Sequence, residues 1–105
     1  MSETPILFEV VTPLGFKVRT TRSYWDKIVF KHPDLSNRLE DIKQTLAKPQ
    51  LIRRSSHDEN IMLFYQHGIK RWVVAVARKV NQAEGFLVTA YRTDAMKEGE
   101  IVWPK

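Results

Sequence analysis

Hydroxyl side chains recur along one face of a predicted strand that spans residues 86–94. Successive strand residues point to opposite faces, so Thr89, Tyr91 and Thr93 share one face and apolar residues occupy the other. With Arg92 beside them, these hydroxyls suit a site that holds a phosphate group. A solvent-exposed strand face would show the same alternation, so the pattern alone leaves both interpretations open.

His32 is the histidine that best fits proton transfer. It falls on the apolar stripe of a predicted helix, directly before Pro33, which should end that helix and leave the imidazole at its boundary. A histidine so placed is the natural general acid or base at neutral pH, although it could instead cap or pack the helix end. His57 and His67 lie in predicted turns and lack the spacing of a metal site, so we expect both to be solvent-exposed and expect no bound metal.

Basic residues lie near the ends of two predicted strands. Arg53 and Arg54 point to opposite faces, so only one of them can reach a given site, and Ser55 shares the face of Arg53. Arg78 and Lys79 divide in the same way at the end of a later strand. Cations at strand ends are also common as ordinary solvated residues, and that interpretation stays open.

Tyr65 ends a predicted strand beside the apolar run that begins at Trp72. Its ring could stack on a nucleobase or pack against the Trp72 ring. The sequence alone allows both roles.

Taken together, these side chains supply the groups needed for metal-free cleavage of RNA. That reaction needs a base for the 2′-hydroxyl proton, an acid for the leaving oxygen, and positive charge with hydrogen-bond donors around the phosphorus. His32 can transfer protons, and Lys79 or Arg53 can supply the charge. Thr89 and Tyr91 can donate hydrogen bonds. Because the 2′-hydroxyl distinguishes RNA from DNA, the expected substrate is RNA.

Composition limits the class of protein. The 105 residues suffice for one domain with one core, and the net charge of +5 favours a polyanionic partner such as RNA. The chain has no cysteine, which excludes disulfides and thiolate metal sites. No apolar run approaches the ~18 residues of a membrane span, and the N-terminus lacks a signal pattern. The sequence therefore predicts a cytoplasmic protein without a membrane partner.

The order of predicted elements indicates a single α+β domain over the whole chain. We expect a β-hairpin at residues 6–20, two helices at residues 23–48 with Ser23 as the first N-cap, and antiparallel strands at residues 51–103. The run at 72–77 is apolar on both faces and should be a central strand. The predicted architecture is an N-terminal hairpin, two helices and a four-stranded antiparallel meander with the helices on one face.

Several of these segments occur in an order that resembles the phage-type branch of the barnase–EndoU–colicin–RelE nuclease fold. The similarity covers nearly everything after Thr20. The matching segments are Trp25-x-x-Ile28-x-x-x-His32-Pro33, a Leu/Ile helix ending at Pro49, Ile52-Arg53-Arg54-Ser55-Ser56-x-Asp58, Leu63-Phe64-Tyr65, a valine-rich strand ending at Lys79, and Phe86-x-Val88-Thr89-Ala90-Tyr91-x-Thr93-Asp94 with Lys97-x-Gly99-Glu100.

The resemblance implies two helices packed on a four-stranded antiparallel sheet and metal-independent endoribonuclease chemistry that needs no cofactor. We therefore predict a toxin-type enzyme. The expected catalytic residues are His32, Lys79, Thr89 and Tyr91. The expected substrate-binding residues are Arg53, Ser55, Tyr65 and Arg92.

Other functions on the same fold stay open. One is a non-catalytic module that binds RNA or a protein in the same cleft, and another is a toxin that acts by gripping a protein target such as a topoisomerase. Relatives of this kind often act with an antitoxin or immunity protein, which is therefore a possible partner. A monomer and a homodimer are both compatible with the sequence, since sheet edges can pair between chains.

Overall fold

The computed structural model describes residues 5–96 and 99–104. Within these ranges the chain forms seven β-strands, two α-helices and one 3₁₀ helix. The strands are β1 (Ile6–Val11), β2 (Lys17–Thr21), β3 (Leu51–Ser55), β4 (Ile61–His67), β5 (Trp72–Lys79), β6 (Glu84–Thr93) and β7 (Gly99–Trp103). The helices are α1 (Arg22–Lys31) and α2 (Leu39–Ala47), with the 3₁₀ helix Pro33–Leu35 between them. Neither of these helices is long and apolar enough to cross a membrane.

All seven strands belong to one mixed sheet with the order β1-β2-β6-β5-β4-β3-β7. The antiparallel meander expected from the sequence runs from β3 to β6, but the prediction of a four-stranded sheet is wrong, because strands are added at both of its edges. β7 pairs antiparallel with β3, and β2 pairs parallel with β6. Hydrophobic alternation identifies a strand but does not specify its neighbour in space, so this pairing was hidden from the sequence pattern.

The N-terminal hairpin is anchored to the sheet by Phe16 and Val18, whose side chains are fully buried. Burying apolar side chains of this size stabilises a fold by about 1.5–3 kcal/mol each. Val18 pairs with Gly85 of β6, and the missing side chain of Gly85 makes room for the Phe16 ring. A Cβ at Gly85 would lie 2.9 Å from that ring. The hairpin is therefore part of the core and not an appendage.

α1 begins directly after β2. Its N-cap is Thr21, whose hydroxyl accepts a hydrogen bond from the Tyr24 N–H at 3.2 Å, so the expected cap at Ser23 is wrong. Thr21 is still extended at φ −104° and ψ 163°, the conformation that lets a threonine cap a helix start. Trp25 and Ile28 are buried, as their spacing predicts.

α2 is shorter than the apolar stripe that predicts it. Leu35 is fully buried but belongs to the 3₁₀ helix that Pro33 begins, and the α-helix starts at Leu39. Ile42 and Leu46 are fully buried one turn apart. The spacing therefore identifies the core residues correctly while overstating the length of the helix.

Both faces of the sheet carry apolar clusters, and both helices pack on the same face. The helix-side cluster includes Val73, Ala75 and Ala77 of β5, whereas Val74 and Val76 point the other way. β5 is thus a central strand, as its apolar run predicts. The second face, which we call the open face, carries the smaller cluster of Leu63, Tyr65, Val74 and Val76.

Gly85→Ala should destabilise the protein, because the added methyl would lie 2.5 Å from the Arg78 carbonyl oxygen as well as against Phe16. We expect the free energy of unfolding to fall by about 1–3 kcal/mol, the usual cost of overpacking. Urea unfolding followed by circular dichroism measures it. Gly68→Ala is the matched control, since its methyl would approach the nearest atom only to 3.0 Å and should cost less. Equal losses in the two variants would contradict this description of the hairpin anchor.

Candidate functional site

A cavity of about 630 Å³ opens on the open face of the sheet. Its polar lining residues are Ser55, Ser56, His57 and Thr89. Its apolar lining residues are Ile61, Leu63, Val76 and Met96 with Tyr91. Buried strand residues such as Leu63 and Val76 form the floor, while Ser56 and His57 are exposed at the rim. This sheet-face cavity suits a ligand that has both a flat apolar surface and hydrogen-bonding groups.

The turn between β3 and β4 is fixed by side-chain hydrogen bonds that place His57 at the rim. The Ser55 hydroxyl accepts from the His57 N–H at 3.1 Å, and the Asp58 carboxylate accepts from the Asn60 N–H at 2.9 Å. Arg78 of β5 binds the same carboxylate at 2.8 Å. The Asn60 N–H and then the Arg78 guanidinium hold the pKa of Asp58 below its usual range. Such turns hold their backbone in one conformation, so the imidazole starts from a defined position.

A bulge in β6 lies directly before Thr89, which points to the open face. Val76 of β5 pairs with Thr89, but the next residue, Ala77, pairs with Leu87, so Val88 is an additional residue. Strict alternation predicts Val88 on the same face as Ala90, and this is wrong: Val88 packs on the open-face cluster while Ala90 is in the helix-side core. Bulges commonly re-aim side chains beside functional sites.

Tyr91 contributes its ring to the cavity, but its hydroxyl is buried. Burial raises the pKa of Tyr91 to about 12, and the neighbouring Tyr65 hydroxyl adds to the shift through charge repulsion and a hydrogen bond. Tyr91 is therefore a neutral phenol at physiological pH and cannot act as a general base. Its hydroxyl lies buried beneath the cavity, whereas the sequence led us to expect it to donate to a phosphate.

His32 lies beside Tyr91, although the two residues are far apart in sequence. Their ring centroids are 6.3 Å apart, and His32 is half-buried at the C-terminal end of α1. The His32 N–H closes the helix by donating to the Ile28 carbonyl at 2.9 Å, and Pro33 then begins the 3₁₀ helix. The sequence prediction that this imidazole stands at a helix boundary is confirmed.

Arg53 faces the same side as the cavity. It pairs with Leu63 of the cavity floor and precedes Ser55 by two residues, a separation of about 7 Å along a strand. One of its terminal nitrogens donates to the Gly99 carbonyl at 2.9 Å, which holds the half-buried side chain in place. Arg54 points to the other face and forms an ion pair with Glu100.

Lys79 is not brought to this site. Its ammonium lies 5.7 Å from the centroid of the Phe16 ring, which belongs to the helix-side core, and it lines a separate cavity with Asn60 and Asn81. Lys79 pairs with Gly85, at the end of β6 opposite to Tyr91. An ammonium in this position cannot stabilise charge in the sheet-face cavity.

Two of the expected substrate-binding residues do not line the cavity. Tyr65 is fully buried and packs edge-on against Trp72 with 6.2 Å between ring centroids, so its ring is not available to stack on a base. Arg92 faces the helix side, where it forms an ion pair with Asp34 at 3.6 Å. Packing against a neighbouring ring was the alternative that the sequence left open for Tyr65.

His57 and Ser56 are the cavity residues that sequence reasoning missed. Their position in a turn indicated only solvent exposure, and both are indeed exposed. The sequence does show that both residues follow Ser55, at the end of β3. When the last residue of a strand lines a cavity, the turn that follows it lies at the same edge of that cavity. The pairing of β3 with β4, and of β5 with β6, brings this turn and Thr89 to one cavity.

Comparison of the chain with models of protein families, with curated proteins and with solved structures gave no match. The resemblance noted from the sequence motifs therefore stays a prediction, and we infer the function from the geometry of the sheet-face cavity.

Tyr91→Phe should reduce the loss of stability at alkaline pH. The folded protein keeps the Tyr91 proton up to a pKa of about 12, whereas an unfolded chain releases it near the ordinary tyrosine pKa of 10.0. The stabilisation is therefore present below pH 10 and is lost as the pH rises towards 12. We expect the drop in melting temperature between pH ~9 and ~11.5 to be smaller in the variant by a few degrees.

Scanning calorimetry across that range measures the effect. Tyr24→Phe is the matched control, since it removes a more exposed phenol. If the wild type and both variants lose stability in parallel, the buried Tyr91 hydroxyl is not the cause.

Proposed function

We propose that this protein binds single-stranded RNA in the sheet-face cavity and cleaves it without a metal ion. The observation that carries the proposal is the cavity itself, which gathers the His57 imidazole and the hydroxyls of Ser55 and Thr89 over an apolar floor. A second imidazole, that of His32, does not line the cavity, but its ring centroid lies 6.3 Å from that of Tyr91, which does.

The choice of RNA as the ligand rests on shape and charge. A nucleobase has flat apolar faces and a polar edge, which match the floor formed by Leu63 and Val76 and the polar rim at Ser56 and His57. Single-stranded RNA can present an unstacked base to such a cavity, whereas a duplex cannot. The net charge of +5 favours the approach of a polyanion.

The proposed cleavage uses the imidazole of His57 at the cavity rim and that of His32 beside Tyr91. The ribose 2′-oxygen attacks the adjacent phosphorus, and the 5′-oxygen of the next nucleotide leaves. One of His57 and His32 takes the proton from the 2′-hydroxyl, and the other gives a proton to the leaving oxygen. Arg53 supplies positive charge near the phosphate, and the hydroxyls of Ser55 and Thr89 donate hydrogen bonds to it. The products are a 2′,3′-cyclic phosphate and a 5′-hydroxyl end.

The proposal assigns roles that differ from the sequence expectation. Tyr91 is a positioning residue, because its buried hydroxyl cannot reach a phosphate and its ring contacts His32. Lys79 has no role, because it lies over Phe16. His57 replaces it as a catalytic residue and completes the acid–base pair.

The purified protein should cleave single-stranded RNA in EDTA and leave 2′,3′-cyclic phosphate ends. His57→Ala and His32→Ala should each lower kcat by about 10²–10⁴-fold, since each removes a proton-transfer group. A labelled oligonucleotide resolved on a denaturing gel gives the rate, and circular dichroism shows whether each variant is folded.

Two variants serve as controls. His67→Ala removes the remaining histidine, whose ring packs against Trp72 at 4.8 Å, and should keep the wild-type rate. Lys79→Gln should stay within about twofold of it, as expected of a surface substitution. A folded His57→Ala variant with full activity, or a large loss in Lys79→Gln, would overturn the proposed site.

A second candidate is RNA binding without cleavage. The distance of Lys79 from the cavity and the buried hydroxyl of Tyr91 favour it, because they leave fewer groups around a phosphate than the sequence predicts. RNA that is retarded on a native gel but stays intact on a denaturing gel would identify this function.

The family and the biological role form part of the same proposal. The motifs around His32-Pro33 and Thr89-Ala90-Tyr91 support membership of the phage-type branch of the barnase–EndoU–colicin–RelE nucleases. A toxin that acts on RNA in the cytoplasm, together with an antitoxin, is the role that we infer from this membership.

A further inference from the structure

A second cleft, of about 380 Å³, lies on the helix side of the sheet. α2 forms one wall with Arg38, Asp41 and Gln44, and the sheet forms the other with Gln66, Val73 and Arg92. We call it the α2 cleft. It is on the opposite face of the sheet from the sheet-face cavity, since Val73 belongs to the helix-side core.

Two guanidinium groups from separate elements line this cleft. Arg38 stands at the start of α2, and Arg92 lies near the end of β6. Arg92 is the less exposed of the two, with a side-chain exposure of 21% against 38% for Arg38. A cation that is partly withdrawn from water is screened less by salt and interacts more strongly with an anion.

Each guanidinium is oriented by one carboxylate. Arg38 binds Asp41 at 3.2 Å, and Arg92 binds Asp34 at 3.6 Å, in both cases through one terminal nitrogen. A guanidinium has five N–H donors in a planar fork, so each arginine keeps donors for a ligand. The carboxylates of Asp34 and Asp41 are about half exposed, and ion pairs of this kind are weak enough to be rearranged when a ligand binds.

The remaining lining residues fit a small phosphorylated ligand. Gln44 and Gln66 carry amides that can donate and accept hydrogen bonds, and Val73 offers an apolar surface. The lining holds two guanidiniums and one carboxylate, Asp41, and a second carboxylate, Asp34, pairs with Arg92, so a bound phosphate shares or displaces these ion pairs. Each of two arginines beside a phosphate group can bind its oxygens through parallel N–H donors.

We propose that the α2 cleft binds the phosphate monoester group of a small ligand such as a nucleoside monophosphate. The site shares no lining residue with the sheet-face cavity and does not depend on RNA cleavage. The volume lies within the range of small-ligand sites, about 300–1,000 Å³.

Isothermal titration calorimetry at fixed ionic strength tests the proposal with adenosine monophosphate, inorganic phosphate and adenosine. We expect adenosine monophosphate to bind and adenosine not to bind. If inorganic phosphate binds as tightly as adenosine monophosphate, the site recognises the phosphate group alone. If inorganic phosphate binds more weakly, the nucleoside adds contacts. No heat with either phosphate compound, or equal binding of adenosine, would overturn the proposal.

Arg38→Gln should weaken binding about tenfold or more, the effect of losing one hydrogen bond between charged groups. Lys43→Gln is the matched control, because Lys43 forms an equivalent pair with Glu40 at 3.2 Å on the same helix but does not line the cleft. Arg92→Gln provides a second test, with its melting temperature measured to confirm folding. Equal affinities of wild type, Arg38→Gln and Lys43→Gln would refute the site, and RNA cleavage by the same variants reports separately on the sheet-face cavity.

Discussion

β6 contributes side chains both to the helix-side core and to the cavity on the open face, and the rest of the site depends on how the strand does both. Leu87 and Ala90 are buried in the helix-side core, while Thr89 and Tyr91 line the cavity on the open face. In a regular strand, Leu87 and Thr89 would share a face, so the strand would have to give up either a core residue or a cavity residue. The extra residue Val88 removes that conflict, because it shifts the alternation by one position.

The short pairing of β2 with β6 places α1 where its C-terminal His32 lies beside Tyr91. β2 pairs with β6 only at residues 84–86, and α1 begins directly after β2. The Tyr24 hydroxyl donates to the Val88 carbonyl at 2.8 Å near one end of α1, and His32 meets Tyr91 at the other.

Local pattern was sufficient to predict most of the elements and the core residues of the helices. Trp25 and Ile28 are buried at the spacing that an amphipathic helix requires, and Leu46 is buried on α2. The sequence also indicated that His32 ends a helix, since the residue before a proline is disfavoured in the α-helical conformation. These inferences depend only on residues close together in the chain.

Pairing and register could not be predicted in the same way. Register puts Lys79 beside Gly85, away from Thr89, and strand alternation puts it on the helix side, where the sequence pattern did not place it. The bulge at Val88 has no sequence signal of its own, since valine is an ordinary strand residue. His57 was overlooked for a similar reason, because the residues that share its cavity, such as Thr89, belong to strands that are distant in sequence.

Backbone amide chemical shifts during titration with a short single-stranded RNA give the sharpest test of whether RNA binds in the sheet-face cavity. If RNA binds in the sheet-face cavity, the largest changes should fall at Ser55 to His57 and at Thr89 to Tyr91, while Lys79 and Arg38 stay unperturbed. Changes concentrated on the helix side, or spread evenly over the surface, would contradict the account.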